Sequence, residues 1–126
     1  MQETEESSQD SQDFSNGKTE GSRIEYFGSR IERNPQNRKD AIKIHKAKCF
    51  ACGFEFEKKY GSFGKGFIEI HHIKPLSDQE TEIVINPETD LIPLCANCHR
   101  MIHHTKPCLT LEELKELIKQ NENKNK

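Results

Sequence analysis

The sequence predicts a small α+β domain in which a strand, a returning strand and a helix are held by a four-cysteine metal site and flanked by helices. Three observations predict it. Two Cys-x-x-Cys pairs, Cys49/Cys52 and Cys95/Cys98, stand 42 residues apart; strand-like runs at 67–73 and 91–94 precede a helical run at 96–104; and apolar residues make up only 32% of 126. With a mean hydropathy of −0.91 the chain cannot rely on a large core, so something besides burial must hold it.

In chain order, residues 1–22 come first, rich in Gln, Ser, Glu and Asp. They carry six acids (Glu3, Glu5, Glu6, Asp10, Asp13, Glu20) against Lys18, a charge of −5, which leaves +3 for the rest of a chain whose net charge is −2. Phe14 is the only large apolar residue there apart from Met1, so the stretch cannot offset the entropy of ordering. It reads as a disordered acidic leader, either a solvated linker or a mimic of nucleic acid.

Residues 23–48 hold eight Lys or Arg against Glu25, Glu32 and Asp40. Residues 23–33 interleave Ile24, Tyr26, Phe27 and Ile31 with Arg23, Arg30 and Arg33, and no element is assigned to them. Asn34 then Pro35 reads as an N-cap and first-turn proline, opening a helix that ends near Lys48 with Ala41, Ile42, Ile44 and His45 on one face. Its remaining bases, Arg38 among them, are either a solvated face or phosphate contacts.

Cys49 to Gly53 reads as a metal knuckle with glycine supplying the turn. Phe54, Phe56 and Tyr60 then alternate loosely with charged residues, and residues 61–66, with three glycines, form a loop. The strand at 67–73 follows. Residues 74–89 are a polar connection, and Pro93 makes the returning strand an edge. The helix at 96–104 has Met101 and Ile102 as apolar members, and Pro107 stops anything longer. Thr110 and Glu113 form a capping box for a last helix with Leu111, Leu114, Leu117 and Ile118 on its apolar face, fraying over 121–126. The main domain is therefore expected over 23–120.

The four paired cysteines match a closed tetrahedral structural zinc site. Nothing at the start of the chain reads as an apolar targeting segment and no run spans a bilayer. This places the thiols in a reducing compartment, the cytoplasm, with no membrane partner, where such pairs bind metal. Cys108 is left over as an ordinary thiol. Five of the six histidines fall within 69–104. His99 and His103 stand i, i+4 on the helix and share a face, and His71 supplies a third nitrogen from the strand. Three protein ligands leave positions for water and substrate, the mark of a catalytic cation, and His72 is then free to act as a base. One tension follows from strand geometry: His71 and His72 point to opposite faces, so either the strand bends or the ion sits at its edge.

His71-His72, Asp90-Leu91 and Cys95-Ala96-Asn97-Cys98-His99 with His103 resemble the motif of HNH endonucleases, a ββα-metal, treble-clef-like fold. The flanking Cys-x-x-Cys pairs are similar to those of nucleases in restriction systems and homing endonucleases, and the resemblance covers about 23–104. It implies hydrolysis of DNA phosphodiester bonds in restriction or mobile-element defence by a one-metal mechanism, with Mg2+, Mn2+, Ni2+ or Zn2+ at His71, His99 and His103 and with His72 activating water. Asp90 stands where the motif has its middle Asn, which orients the base; Asp90 can accept a hydrogen bond from His72 but cannot donate as an amide does, and Asn97 lies too close to the helical histidines to replace it. Arg23, Arg30, Arg33, Arg38, Lys74 and Arg100 are the candidate DNA contacts, with solvated surface charge as the alternative. Target choice would rest with a recognition domain, a partner subunit or a second copy of the chain. The competing reading is a zinc-stapled nucleic-acid- or protein-binding module without catalysis, which would not need His72. A zinc nucleobase deaminase is excluded, because Ile73 and Lys74 stand where it needs the Glu of His-x-Glu.

Overall fold

A computed structural model of the chain describes residues 15–76 and 81–124; residues 1–14 of the expected leader, 77–80 of the polar connection and the last two of the expected tail lie outside them. The chain divides into two compact units, Met1–Arg30 and Ile31–Lys126. In the first, residues 15–30 carry neither helix nor strand and are all exposed, Arg23 and Arg30 included.

The second unit opens with α1, Pro35–His45. Asn34 caps it through a 2.8 Å bond from the Gln36 N–H, which satisfies one of the donors that a helix start leaves orphaned. Lys46, at φ 73°, ends it by donating its N–H to Ile42 O at 2.8 Å. The buried face is narrower than the sequence pattern predicts. Ala41 is fully buried and Ile42 packs on the core, but Ile44 is exposed.

Residues 56–64 are more ordered than the loose alternation and loop expected of them. Helix α2 spans Phe56–Tyr60 and a 3-10 turn spans Gly61–Gly64. Phe56 and Tyr60, i and i+4, stack at 6.2 Å, a local pairing that sustains this short helix.

Strand β1, Glu69–His72, pairs antiparallel with β2, Leu91–Leu94, placing Ile70 opposite Pro93 and His72 opposite Leu91. All four β2 residues are buried, unlike a solvent-facing edge. Pro93 lacks a donor, yet its carbonyl accepts the Phe50 N–H at 3.0 Å, so the first knuckle covers the outer edge of β2. Arg38 joins α1 to the sheet by donating to Ile68 O at 2.9 Å, and His45 Nε2 lies 3.2 Å from Pro87 O.

Helix α3, Ala96–Ile102, follows β2 directly, and α4 spans Leu111–Lys124. In α3 Ile102 is buried while Met101 is exposed. The α4 start is the expected capping box: Glu113 N donates to Thr110 Oγ1 at 3.1 Å and Thr110 N to Glu113 Oε1 at 2.8 Å. Leu114 enters the core, Leu117 does not, and the helix continues to Lys124 where fraying was expected from Asn121. The core itself is small. Ile68, Leu94, Ile102 and Leu114 share it with Cys49, Cys95 and Cys98, so three thiols occupy positions a larger domain would give to aliphatics.

Candidate metal centres

The sulfurs of Cys49, Cys52, Cys95 and Cys98 all lie within 4.8 Å of one another, a set able to hold a metal ion. Each pair builds the same local structure. Cys52 N donates to Cys49 Sγ, and Cys98 N donates to Cys95 Sγ, each at 3.4 Å. In the first knuckle Gly53, at φ +83°, donates its N–H to Cys49 O at 2.9 Å. In the second, Cys95 is the N-cap of α3, so its sulfur faces a helix N-terminus that favours negative charge. Cys108 stands apart, half-buried.

The donor set fits a tetrahedral cation. Metal–sulfur bonds of about 2.3 Å would put neighbouring sulfurs about 3.8 Å apart. Cys52 Sγ and Cys95 Sγ are 3.8 Å apart. The electrostatics agree. Burial works against the Cys49 thiolate, but backbone groups of Cys95, Cys52 and Ala51 outweigh it and hold that thiol below its ordinary value. Burial, with charge on Cys49, pushes Cys52 up to about 11 and Cys98 higher still. Four sulfurs so crowded cannot all ionise without a counter-charge, which a divalent cation would supply.

The second cluster lies where β1 meets α3. His71, His99 and His103 each bring a ring nitrogen within 4.8 Å of the others. His71 Nδ1 is 3.2 Å from His103 Nε2, close to the separation of about 3.3 Å expected of two imidazoles on one tetrahedral ion. His103 is the C-cap of α3 rather than an interior residue, but the chain continues in a turn, His104 N to Met101 O at 3.1 Å, and its ring remains 5.1 Å from that of His99.

Sequence reasoning missed Glu69. His99 Nδ1 donates to Glu69 Oε1 at 2.7 Å, which fixes the ring and leaves Nε2 as the free lone pair. The signal was present as a carboxylate two positions before His71, hence on the same strand face.

His71 is buried, 3% exposed, and burial, reinforced by its neighbours His103, His99 and His72, pushes its pKa down to about 4. Burial, then charge on His99, also lowers His103. His72, half-buried, follows His71 on the strand and does not join the three-nitrogen cluster. Its pKa is lowered by burial, then by the positive charges of Arg33 and His99, against the opposing pull of Asp90. The ring is therefore neutral at neutral pH.

Asp90 does not do what was expected of its side chain. Among the described residues its carboxylate accepts from Asn86 N at 2.8 Å and Thr89 Oγ1 at 3.4 Å, not from His72. Its contribution is to the backbone: Asp90 O receives the Ile73 N–H at 3.0 Å, pinning the residue after His72. Asn97, Lys74 and Arg100 are exposed. Arg33 donates to Ile31 O at 3.5 Å, and Arg38 has a structural bond to Ile68 O at 2.9 Å.

This arrangement, two antiparallel strands and a helix with histidines converging between them and four cysteines behind, matches a known family. A model of the HNH endonuclease family matches residues 49–105. Those residues resemble an HNH domain. The chain is also similar to the Type IV methyl-directed restriction enzyme EcoKMcrA of Escherichia coli (strain K12), 30% identical over 99 residues, which are 75% of this chain and 34% of that enzyme. The chain thus spans about a third of that relative's length. The HNH segment contains both metal-competent clusters and ends two residues beyond His103. Among the described residues, no helix is long and apolar enough to cross a membrane.

Proposed function

We propose that the chain is a metal-dependent endonuclease that hydrolyses DNA phosphodiester bonds in restriction-type defence, with structural zinc at the four cysteines. The observation that carries this reading is the convergence of His71, His99 and His103 nitrogens within 4.8 Å beside a neutral His72. A divalent cation held there supplies charge stabilisation to the phosphate and the departing oxygen. Of the candidate ions, Ni2+ and Zn2+ suit three imidazole donors best, whereas Mg2+ and Mn2+ favour oxygen ligands.

The residues of the chain do the rest. His71 is held neutral by burial and presents a lone pair; His99 is oriented by Glu69 through the 2.7 Å bond. A ring nitrogen of His72 takes the proton of the attacking water. Asp90 acts as a positioning residue through its 3.0 Å backbone bond to Ile73. Arg33 opposes charge on His72 and so favours its basic form, and with Arg38, Lys74 and Arg100 it offers positive charge to the DNA backbone.

The test is plasmid cleavage by the purified chain across these metals, on modified and unmodified DNA. The expected result is cutting only with added divalent metal, and His72→Ala should abolish it while leaving zinc content and melting temperature unchanged. Undiminished cutting by that variant would refute the role of His72. DNA binding by the parent chain without cutting under any metal would favour the non-catalytic module.

A further inference from the structure

Among the described residues, Phe63 is 95% exposed, although burying such a ring would contribute about 1.5–3 kcal/mol. The surrounding structure holds it there. Gly64 is buried against α2 so closely that a Cβ at that position would lie 2.6 Å from Phe56 O, which fixes the turn on the helix. Gly61 at φ +71° and Gly66 at φ +74° admit the two reversals on either side of it. Beneath the turn, Phe56 packs edge-on against Phe54 at 4.9 Å and Phe67 at 4.8 Å, and Phe63 is absent from that cluster. Tyr60 and Phe67, three residues before and four after it, are themselves about half exposed.

The charges around the tip decide what it meets. Lys58 is spent on Glu55 at 3.2 Å and Glu57 sits in the first turn of α2, whereas Lys59 and Lys65 are exposed on either side of the turn. An exposed ring flanked in sequence by two exposed lysines suits a ligand with a flat apolar face inside an anionic chain. Phe63 stands eight residues before His71, a reach of at most about 28 Å, which is less than one turn of duplex. The tip is therefore less than one duplex turn from the histidine cluster, close enough for one DNA to reach both.

We infer that Phe63 is a stacking finger: its ring takes an unpaired or flipped-out base of the bound DNA while Lys59 and Lys65 hold the phosphates beside it. This rests on the nuclease reading and deepens it by naming the form of DNA preferred, one with a base out of the stack. Base–aromatic stacking tolerates any base, so the finger selects disruption rather than sequence.

The chain contains no tryptophan, so Phe63→Trp places a single indole reporter at the tip. The full chain carrying His72→Ala, to prevent cutting, is titrated with a fully paired duplex, the same duplex with one unpaired base, and the single strand. Indole emission should be quenched by the last two more than by the first. Phe63→Ala should weaken binding to the unpaired-base duplex roughly five- to 150-fold, and Phe63→Tyr should restore it. Unchanged emission at saturation, with Phe63→Ala binding within twofold of its parent, overturns the inference. So does a Phe63→Ala chain that shifts from dimer to monomer in sedimentation with DNA affinity unaltered, which would assign the ring to a second copy. Failure of the unsubstituted chain to bind or cut any DNA would instead sink the nuclease reading and the finger with it; cutting by that chain alongside a silent Phe63 would sink the finger alone.

Discussion

Replacing Cys52 with serine separates a metal clamp from a set of buried thiols. Cys49, Cys95 and Cys98 are all buried, so truncating any of them removes core packing as well as a ligand. Cys52 is exposed, and a Cys-to-Ser change on an exposed loop ordinarily shifts stability by no more than about 0.5 kcal/mol. If the four sulfurs hold zinc, the cost is of another order. Binding worth about 10–16 kcal/mol, shared among four ligands, puts about 2.5–4 kcal/mol on each. In a unit the size of Ile31–Lys126 each kcal/mol moves the melting temperature by about 4–8 °C, so Cys52→Ser should lower it by roughly 10–30 °C. The assay is thermal melting with and without chelator, alongside metal analysis of the purified protein. Chelator should bring the parent down toward the variant and leave the variant almost unmoved. A Cys52→Ser chain that melts within 2 °C of the parent and still carries one zinc would refute the clamp.

Glu69→Gln should weaken metal binding at the histidine cluster by about 10- to 100-fold in titration calorimetry, because His99 loses a charged orienting partner; unchanged affinity would show that the 2.7 Å contact does not tune the site. Acid should destabilise the metal-free chain in a defined window. His71 is depressed from 6.5 to about 4 in the fold, so the unfolded chain takes up the proton first as pH falls from 6.5 toward 4. Up to about 3 kcal/mol of stability, fully present above pH 6.5, is then lost, and His71→Phe should flatten that part of a denaturant-midpoint profile. Asp90→Ala should cost about 1–2 kcal/mol by releasing the turn held by the 2.8 Å Asn86 bond, whereas Asp90→Asn, which keeps an acceptor, should cost less than half as much by urea denaturation.

What was legible in the sequence was the part whose physics is local or repeated. The Cys-x-x-Cys spacing and the i, i+4 pair His99 and His103 each encode proximity directly, because a tight turn or one helical turn leaves little freedom. The caps of α1 and α4 were legible for the same reason. The failures share the opposite cause. Helix α2 depends on Phe56 packing on Tyr60, Phe54 and Phe67, and two of those three contacts join it to residues outside the helix. Ile44 and Met101 satisfied the helical period yet lie exposed, since a core this small does not reach every apolar position. Asp90 was given a partner by motif position, but Asn86, four residues away, offers its N–H at 2.8 Å and takes the carboxylate.

The tension between His71 and His72 now has a structural form. Strand alternation buries His71 toward α3, where His99 and His103 wait, and turns His72 the other way. The strand ends there: β1 stops at His72, and the Ile73 N–H closes on Asp90 O at 3.0 Å. A residue at the last position of a strand keeps its register through its neighbour's bond while its side chain borders open solvent. On the proposed mechanism, this position would let His72 take the proton of water beside the cluster while the ladder holds its backbone. The same geometry gives Asp90 its proposed role. On that proposal, His72 needs a carbonyl held in place opposite the end of β1, and the Asp90 carboxylate, accepting from Asn86 N, would hold the turn that positions it.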